Sequence, residues 1–209
     1  MRKAGQRRRE KERENIESPR DRRLLDKTLT YEERYFKDMT LEAKEIQNLF
    51  MCYQKSDKGK WVKRSFGEIP SVSLAAWIIV ERRIRGRDGY CNPKNLEIVI
   101  KKGESEKEQR ITLLHEMIHA LENELAWAGG CNEVMREILI LYLYRKIVKR
   151  LGSKKTDILI QKLTPSSFWY NVAGSGHSIL FTLKSLDLDI RLHLPYGSIF
   201  AYGRIEYFK

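Results

Sequence analysis

The chain has 209 residues, 42% of them hydrophobic, which is enough for one domain with a packed core. Its three cysteines form no CxxC pair, and this excludes a disulfide-rich secreted scaffold. No apolar run approaches the roughly 18 residues that a membrane span needs, and the basic first residues do not resemble a secretory signal. We therefore expect a soluble cytoplasmic protein with no membrane partner.

The charge is strongly basic, with 40 Lys and Arg residues against 28 Asp and Glu residues and a net charge of +12. Residues 1–27 contain eleven basic and six acidic side chains. We expect a flexible basic arm there, followed by one domain over residues 28–209. Such an arm could contact nucleic acid or another polyanion, with Arg7, Arg8 and Arg9 as candidates. The interleaved acidic residues are equally typical of a solvated helix, so both interpretations stay open.

Hydrophobic periodicity and capping signals predict a mostly helical chain with a few short strands. Thr30 and Glu33 have the spacing of a capping box, and Thr40 is a second possible helix cap. A helix with an apolar stripe from Leu41 to Tyr53 is predicted after Thr40 and ends near residues 56–59. The later predicted elements are a short strand and a turn over 60–70, a helix from Ser73 to Ile84, a strand over 96–100, helices over about 106–127, 133–151 and 156–163, a helix from His177 to about Leu186, and short extended pieces at the end of the chain.

Residues 113–122 contain the HExxH pattern. His115 and His119 are four residues apart, so on a helix both lie on one face and can reach one zinc ion at about 2.0–2.1 Å. Glu116, beside the first of them, can exchange a proton with a zinc-bound water. A five-residue pattern also arises by chance. However, two of only four histidines lie in it, and it sits on a capped amphipathic helix, which favours zinc.

A catalytic zinc usually has three protein ligands, so the pattern lacks one. His177 is one candidate, at the start of the last helix after a glycine-rich turn. Glu133 is the other, at the start of the helix after Gly129 and Gly130, with Glu137 one turn further on. The remaining histidine, His193, is simpler to interpret as a partly exposed strand residue.

Three segments resemble, in order, those of the SprT-like zinc metallopeptidases, the family of Spartan and its relatives. The glycine–tyrosine–turn–strand element, the HExxH helix and the later His-x-x-x-Phe helix of that family are similar to residues 89–100, 113–122 and 177–187. The resemblance covers about residues 70–128 and 174–190. It implies an α+β, zincin-like metallopeptidase domain, mostly helical, with a small β-sheet beside the HExxH helix.

The resemblance implies zinc ligands at His115, His119 and His177, with Glu116 as the general base and Phe181 packed under the site. The chain departs from the family where Ser178 follows His177, since glycine is common there. A helical insertion at about 132–163 separates the second and third histidines, and the CxxC pair of some relatives' zinc ribbon is missing. Glu133 alternatively resembles the glutamate ligand of thermolysin-like gluzincins, so the third ligand stays open.

The activity that the resemblance implies is hydrolysis of peptide bonds by a zinc-activated water. The substrate is a protein or peptide, and the basic charge adds the hypothesis that it is bound to nucleic acid. If strand 96–100 is a sheet edge, an extended substrate can add beside it. Candidate donors to the oxyanion are Tyr170, Tyr196 and a backbone amide.

Two other classes of function remain open. The first is a zincin-fold binding module without catalytic activity. The second is a basic nucleic-acid-binding or structural component of a larger assembly, in which the HExxH match is accidental. Metal content and the effect of Glu116→Gln separate these classes.

Overall fold

The computed structural model describes residues 19–40, 53–55, 57–63, 74–127, 132–163 and 177–203. Outside these ranges lie the candidate contacts Arg7, Arg8 and Arg9, residues 41–52 of the helix predicted after Thr40, and Tyr170. The described helices are α1 (Pro19–Tyr35), α2 (Glu106–Trp127), α3 (Asn132–Leu151), α4 (Ser153–Leu163) and α5 (Ile179–Arg191). The described strands are β1 (Tyr53–Lys55), β2 (Trp61–Lys63), β3 (Ile78–Arg82), β4 (Gly89–Asn92) and β5 (Glu97–Lys101).

The main sheet has three strands in the order β3-β5-β4, and β1 pairs with β2 in a separate antiparallel ladder. β5 is central, parallel to β3 and antiparallel to β4. The hypothesis that a substrate adds beside strand 96–100 is therefore wrong, because both sides of β5 are already hydrogen-bonded. Among the described strands, β4 is the edge strand that packs against α2.

The helix predicted from Ser73 to Ile84 is absent from its described part, residues 74–84. A 3₁₀ turn over Leu74–Ala76 leads instead into β3. The run of Ile78, Ile79 and Val80 is β-branched, which favours a strand, and so short an apolar run has no period that separates helix from strand. Tyr53, the last residue of the helical stripe predicted after Thr40, likewise lies in a strand, β1.

Residues 19–27, assigned to the basic arm from the sequence, lie in α1, which begins at Pro19. Leu24 and Thr28 are buried on one face of α1, and the helix packs against β3. Thr30, predicted as a cap, is an interior residue of α1 whose hydroxyl donates to the Asp26 carbonyl at 2.8 Å. The mean composition of residues 1–27 conceals this buried stripe, since the charged Arg22, Arg23 and Asp26 on α1 are exposed.

The fold class predicted from sequence is confirmed in its coarse form: the chain is α+β and mostly helical, with a small three-stranded sheet. α2 packs against β4 and β5 on one side and contacts α5 and α3. The core between them is apolar and includes Ile98, Ile100, Leu114, Ile118, Phe181 and Leu186. None of the described helices is long and apolar enough to cross a membrane.

The remaining helices follow the prediction closely. α2 spans the predicted residues 106–127, and α3, α4 and α5 differ from prediction by a few residues at their ends. α3 is less buried than its composition suggests, because Leu141 is 46% exposed while Leu139 and Leu143 are fully buried. The predicted extended pieces after α5 are turns, and His193 there is exposed with a left-handed φ of 53°.

A buried network of charges joins the C-terminal half of α5 to α3 and to the end of α1. The Lys184 ammonium group is fully buried and lies 2.5 Å from Asp38 Oδ1 and 2.6 Å from the Tyr35 carbonyl oxygen. Lys146 bridges Asp38 at 3.2 Å and Asp187 at 2.9 Å. These contacts link α5, the helix that follows His177, to α3 and to the residues after α1.

Candidate metal centre

α2 supplies two histidines because local signals fix where it begins. Ser105 and Glu108 form a capping box, in which Glu108 accepts from the Ser105 backbone N–H at 2.9 Å and from its hydroxyl at 2.7 Å. Nine residues into α2, His115 is fully buried, and His119 follows one turn later, partly exposed. The two imidazole rings lie 5.0 Å apart between centroids. The residue at which α2 begins therefore determines the face on which His115 and His119 lie.

His177 immediately precedes Ser178, the N-cap residue of α5, and this cap is tied to α2. The Ser178 hydroxyl accepts from the Phe181 backbone N–H at 3.0 Å and donates to the Glu122 carboxylate. Burial raises the pKa of Glu122, and the Ser178 hydrogen bond acts in the opposite direction. The serine that departs from the family pattern thus links α5 to the helix of the other two histidines.

Three histidines, His115, His119 and His177, form one cluster in which a ligand nitrogen of each lies within 4.8 Å of the others. Their ring centroids are 5.0 to 5.1 Å apart in all three pairs. The buried ring of Phe181 lies 4.2 to 4.7 Å from each of them. The structure therefore brings together all three histidines named from the sequence, with Phe181 packed against them.

A hydrogen bond selects the ring nitrogen that His115 presents to the cluster. Its Nδ1 lies 2.8 Å from the Ile199 carbonyl oxygen. Because a carbonyl oxygen only accepts, Nδ1 carries the proton and Nε2 keeps its lone pair. Nε2 lies 3.3 Å from the His177 Nε2. This arrangement is the one in which a backbone carbonyl orients a metal-binding imidazole.

The cluster fits a zinc ion in both spacing and protonation. Two nitrogens bound to one tetrahedral zinc at about 2.0–2.1 Å lie about 3.3–3.4 Å apart, close to the separation of the two Nε2 atoms. Burial lowers the pKa of His119 and of His177 to about 4, and lowers the pKa of His115 well below its usual value. The imidazoles are therefore neutral near pH 7, as metal ligands must be.

Glu116 lies beside the cluster and is held by Tyr202. The Tyr202 hydroxyl donates to Glu116 Oε1 at 2.7 Å, and its ring stacks on His115 with centroids 3.8 Å apart. Burial raises the pKa of Glu116 to about 7, while the Tyr202 hydrogen bond and the charge of Arg87 act in the opposite direction. A carboxyl group with a pKa near neutrality can both accept and return a proton at that pH.

Gly89, the first residue of β4, leaves the space that Glu116 occupies. A Cβ atom at residue 89 would lie 2.6 Å from Thr112 Cγ2, 3.0 Å from the Val99 carbonyl oxygen and 3.1 Å from Glu116 Oε1. Two of these three neighbours are side chains of α2. The close approach of β4 to α2 therefore depends on glycine here.

We expect Gly89→Ala to destabilise the protein by about 1–3 kcal/mol, the usual cost of overpacking a filled core. Urea denaturation measures this change. In Gly89→Ala combined with Thr112→Ser, which removes the nearest methyl group, part of the loss should return. A double variant as unstable as the single one would show that the Thr112 methyl is not the obstacle.

Several residues proposed from the sequence lie elsewhere or lack a described side chain. Glu133 is in the first turn of α3, but its side chain lies outside the described part of the structure. Tyr196 faces Lys155 of α4, whose ammonium group lies 5.0 Å from its ring centroid. The tyrosine that reaches Glu116 is Tyr202, which sequence reasoning missed.

Glu122 and the Ile199 carbonyl were missed as well. Glu122 follows His119 by three residues, so helical spacing could have placed it on the same face of α2. No pattern in the sequence marks a backbone carbonyl that lies 84 residues from its histidine. Comparisons of the chain with protein-family models, with curated proteins and with solved structures find no match.

Proposed function

We propose that the chain is a zinc-dependent metallopeptidase with a zincin-like fold. The observation that carries the proposal is the convergence of His115, His119 and His177 beside Glu116, with two Nε2 atoms at the separation that a tetrahedral zinc requires. Three histidines leave one coordination position for water or substrate, which is typical of catalytic zinc sites.

The proposal of SprT-like ancestry rests on the order and packing of the three segments that resemble that family, residues 89–100, 113–122 and 177–187. β4 and β5 form a hairpin around residues 93–96, which precedes α2 in the chain, and α2 packs against both strands. α5 then supplies Phe181 against the histidine cluster. These features support the zincin-like assignment and favour His177 over Glu133 as the third ligand.

In this proposal His115, His119 and His177 would hold the ion through ring nitrogens. Lewis acidity toward a water molecule and toward the peptide carbonyl is the chemistry that a bound zinc ion supplies. Glu116 accepts the proton of the attacking water at its carboxylate and later donates it to the leaving amine. Tyr202 orients that carboxylate through the hydrogen bond from its hydroxyl group.

An extended peptide substrate would add beside β4. A Cβ atom at Gly89, at the start of this strand, would lie 3.1 Å from Glu116 Oε1, so the strand begins beside the candidate base. Among the described residues, β4 has a strand partner on one side only. Backbone hydrogen bonds along such an edge hold a peptide in extended form without reading its side chains. The proposed substrate class is therefore an unfolded or extended segment of a protein.

A basic turn lies at the same end of the sheet. Arg83, Arg85 and Arg87, between β3 and β4, are exposed, and the charge of Arg87 reaches Glu116. This placement supports a substrate that carries negative charge near the scissile bond. Among the described residues, this basic turn also favours a substrate protein that is bound to nucleic acid.

The decisive experiment is zinc stoichiometry by elemental mass spectrometry on purified wild type, His177→Ala, Glu133→Ala and His193→Ala. We expect one zinc per chain in wild type, in Glu133→Ala and in His193→Ala, and loss of zinc in His177→Ala. The matched control is His193, since it is an exposed histidine outside the cluster.

Two other results would favour a different ligand set or a different function. Loss of zinc only in Glu133→Ala would replace the SprT-like assignment with the gluzincin one. A wild type that takes up no zinc after zinc-supplemented purification would contradict the metallopeptidase proposal. A basic nucleic-acid-binding or structural component would then be the better hypothesis.

A further inference from the structure

The turn over residues 195–203 closes one side of the histidine cluster. Three backbone hydrogen bonds stabilise it. The Ser198 N–H donates to the Pro195 carbonyl at 3.1 Å, the Ala201 N–H to the Gly197 carbonyl at 2.9 Å, and the Gly203 N–H to the Ser198 carbonyl at 2.7 Å. Gly197 adopts a left-handed φ of 92°, which few other residues tolerate. The 195–203 turn is thus a compact unit with a defined backbone.

Three groups of this turn contact the site. The Ile199 carbonyl accepts from His115 Nδ1, the Phe200 ring lies 4.6 Å from the His177 ring, and Tyr202 stacks on His115 and donates to Glu116. The turn therefore touches two candidate ligands and the candidate base.

A buried carboxyl group of α5 holds the turn in place. Asp189 is fully buried; its Oδ2 accepts from the Gly197 backbone N–H at 2.7 Å, and its Oδ1 accepts from the Ile199 backbone N–H at 3.0 Å. The N–H that binds Asp189 and the carbonyl that binds His115 therefore belong to the same residue, Ile199. Because α5 follows His177 directly, Asp189 connects the helix of one ligand to the turn that orients another.

We propose that Asp189 is a positioning residue of the metal centre, which fixes the His115 tautomer through the Ile199 carbonyl and holds Tyr202 against Glu116. This inference rests on the proposed function for its meaning, since the tautomer matters only where Nε2 binds a metal. The tautomer itself is a property of the metal-free protein.

Asp189→Asn is the direct test, because the amide has the same shape and only one acceptor atom. Whichever way it is oriented, its NH₂ group faces one of the two backbone N–H donors, so one hydrogen bond is lost. Asp187→Asn is the matched control. Asp187 is also buried and lies two residues away, but it pairs with Lys146, Lys184 and Arg191 instead of the turn.

Two readouts distinguish positioning from general stability. In metal-free protein, ¹⁵N–¹H spectra of the histidine rings should show His115 as the Nδ1–H tautomer in wild type and Asp187→Asn, and as a mixture in Asp189→Asn. In competition with a chromophoric chelator, Zn²⁺ affinity should fall about 10- to 100-fold in Asp189→Asn and stay near wild type in Asp187→Asn.

An unchanged tautomer and unchanged affinity in Asp189→Asn would overturn the inference, as would an equal loss of affinity in both variants. If Asp189→Asn does not fold, Asp189→Ser, whose hydroxyl accepts one of the two N–H groups, is measured against the same expectations. A wild-type His115 in the Nε2–H form also contradicts the inference. A wild type without zinc affinity defeats the proposed function alone, because the tautomer is read without metal.

Discussion

Replacing Glu116 by glutamine should lower kcat/KM for peptide hydrolysis by about 10²- to 10⁴-fold, the usual contribution of a general acid–base group. The amide keeps the size of the side chain and can still accept from the Tyr202 hydroxyl, but it cannot take a proton from water at neutral pH. Hydrolysis of a quenched fluorescent casein or peptide library measures the change.

Zinc content separates a chemical defect from a structural one. Glu116 is not among the three candidate ligands, so Glu116→Gln should retain one zinc per chain. The matched control is Glu106→Gln on the same helix, where the side chain is 88% exposed, and its activity should equal that of wild type. Undiminished hydrolysis by Glu116→Gln would contradict the role of this residue. A zinc-loaded wild type without hydrolysis would instead indicate a binding module.

The parts of the fold predicted correctly are those with local signals. α2 was predicted to the residue because the capping box of Ser105 and Glu108 and the diglycine after Trp127 mark its two ends. The HExxH histidines could be placed on one face from spacing alone. β5 was predicted from its β-branched run and the turn before it.

The elements that were predicted wrongly and the site residues that were missed depend on contacts between residues distant in sequence. β3 was predicted as a helix because its strand character comes from pairing with β5, and the central position of β5 is a property of the sheet as a whole. Tyr202 lies 86 residues from Glu116, and nothing near it in sequence indicates a site. Sequence spacing allowed either His177 or Glu133 as the third ligand, and only the resemblance to a family favoured His177.

The largest effect on stability should come from Asp38→Asn in the buried charge network. Burial by itself would raise the pKa of Asp38, but the charges of Lys184 and Lys146 lower it overall, so the carboxyl group is ionised at neutral pH. In the variant, the fully buried Lys184 ammonium loses its nearest anion, and Asp187 remains as its only described carboxylate neighbour, at 3.5 Å.

We expect Asp38→Asn to reduce the free energy of unfolding by about 3–5 kcal/mol, the cost of leaving one partner of a buried ion pair uncompensated. Urea denaturation measures it. The comparison is Glu106→Gln, which breaks the exposed 3.4 Å pair with Lys27 and should change stability by less than about 0.5 kcal/mol. If both variants change the free energy of unfolding equally, the buried ion pairs contribute no more to stability than the exposed pair does.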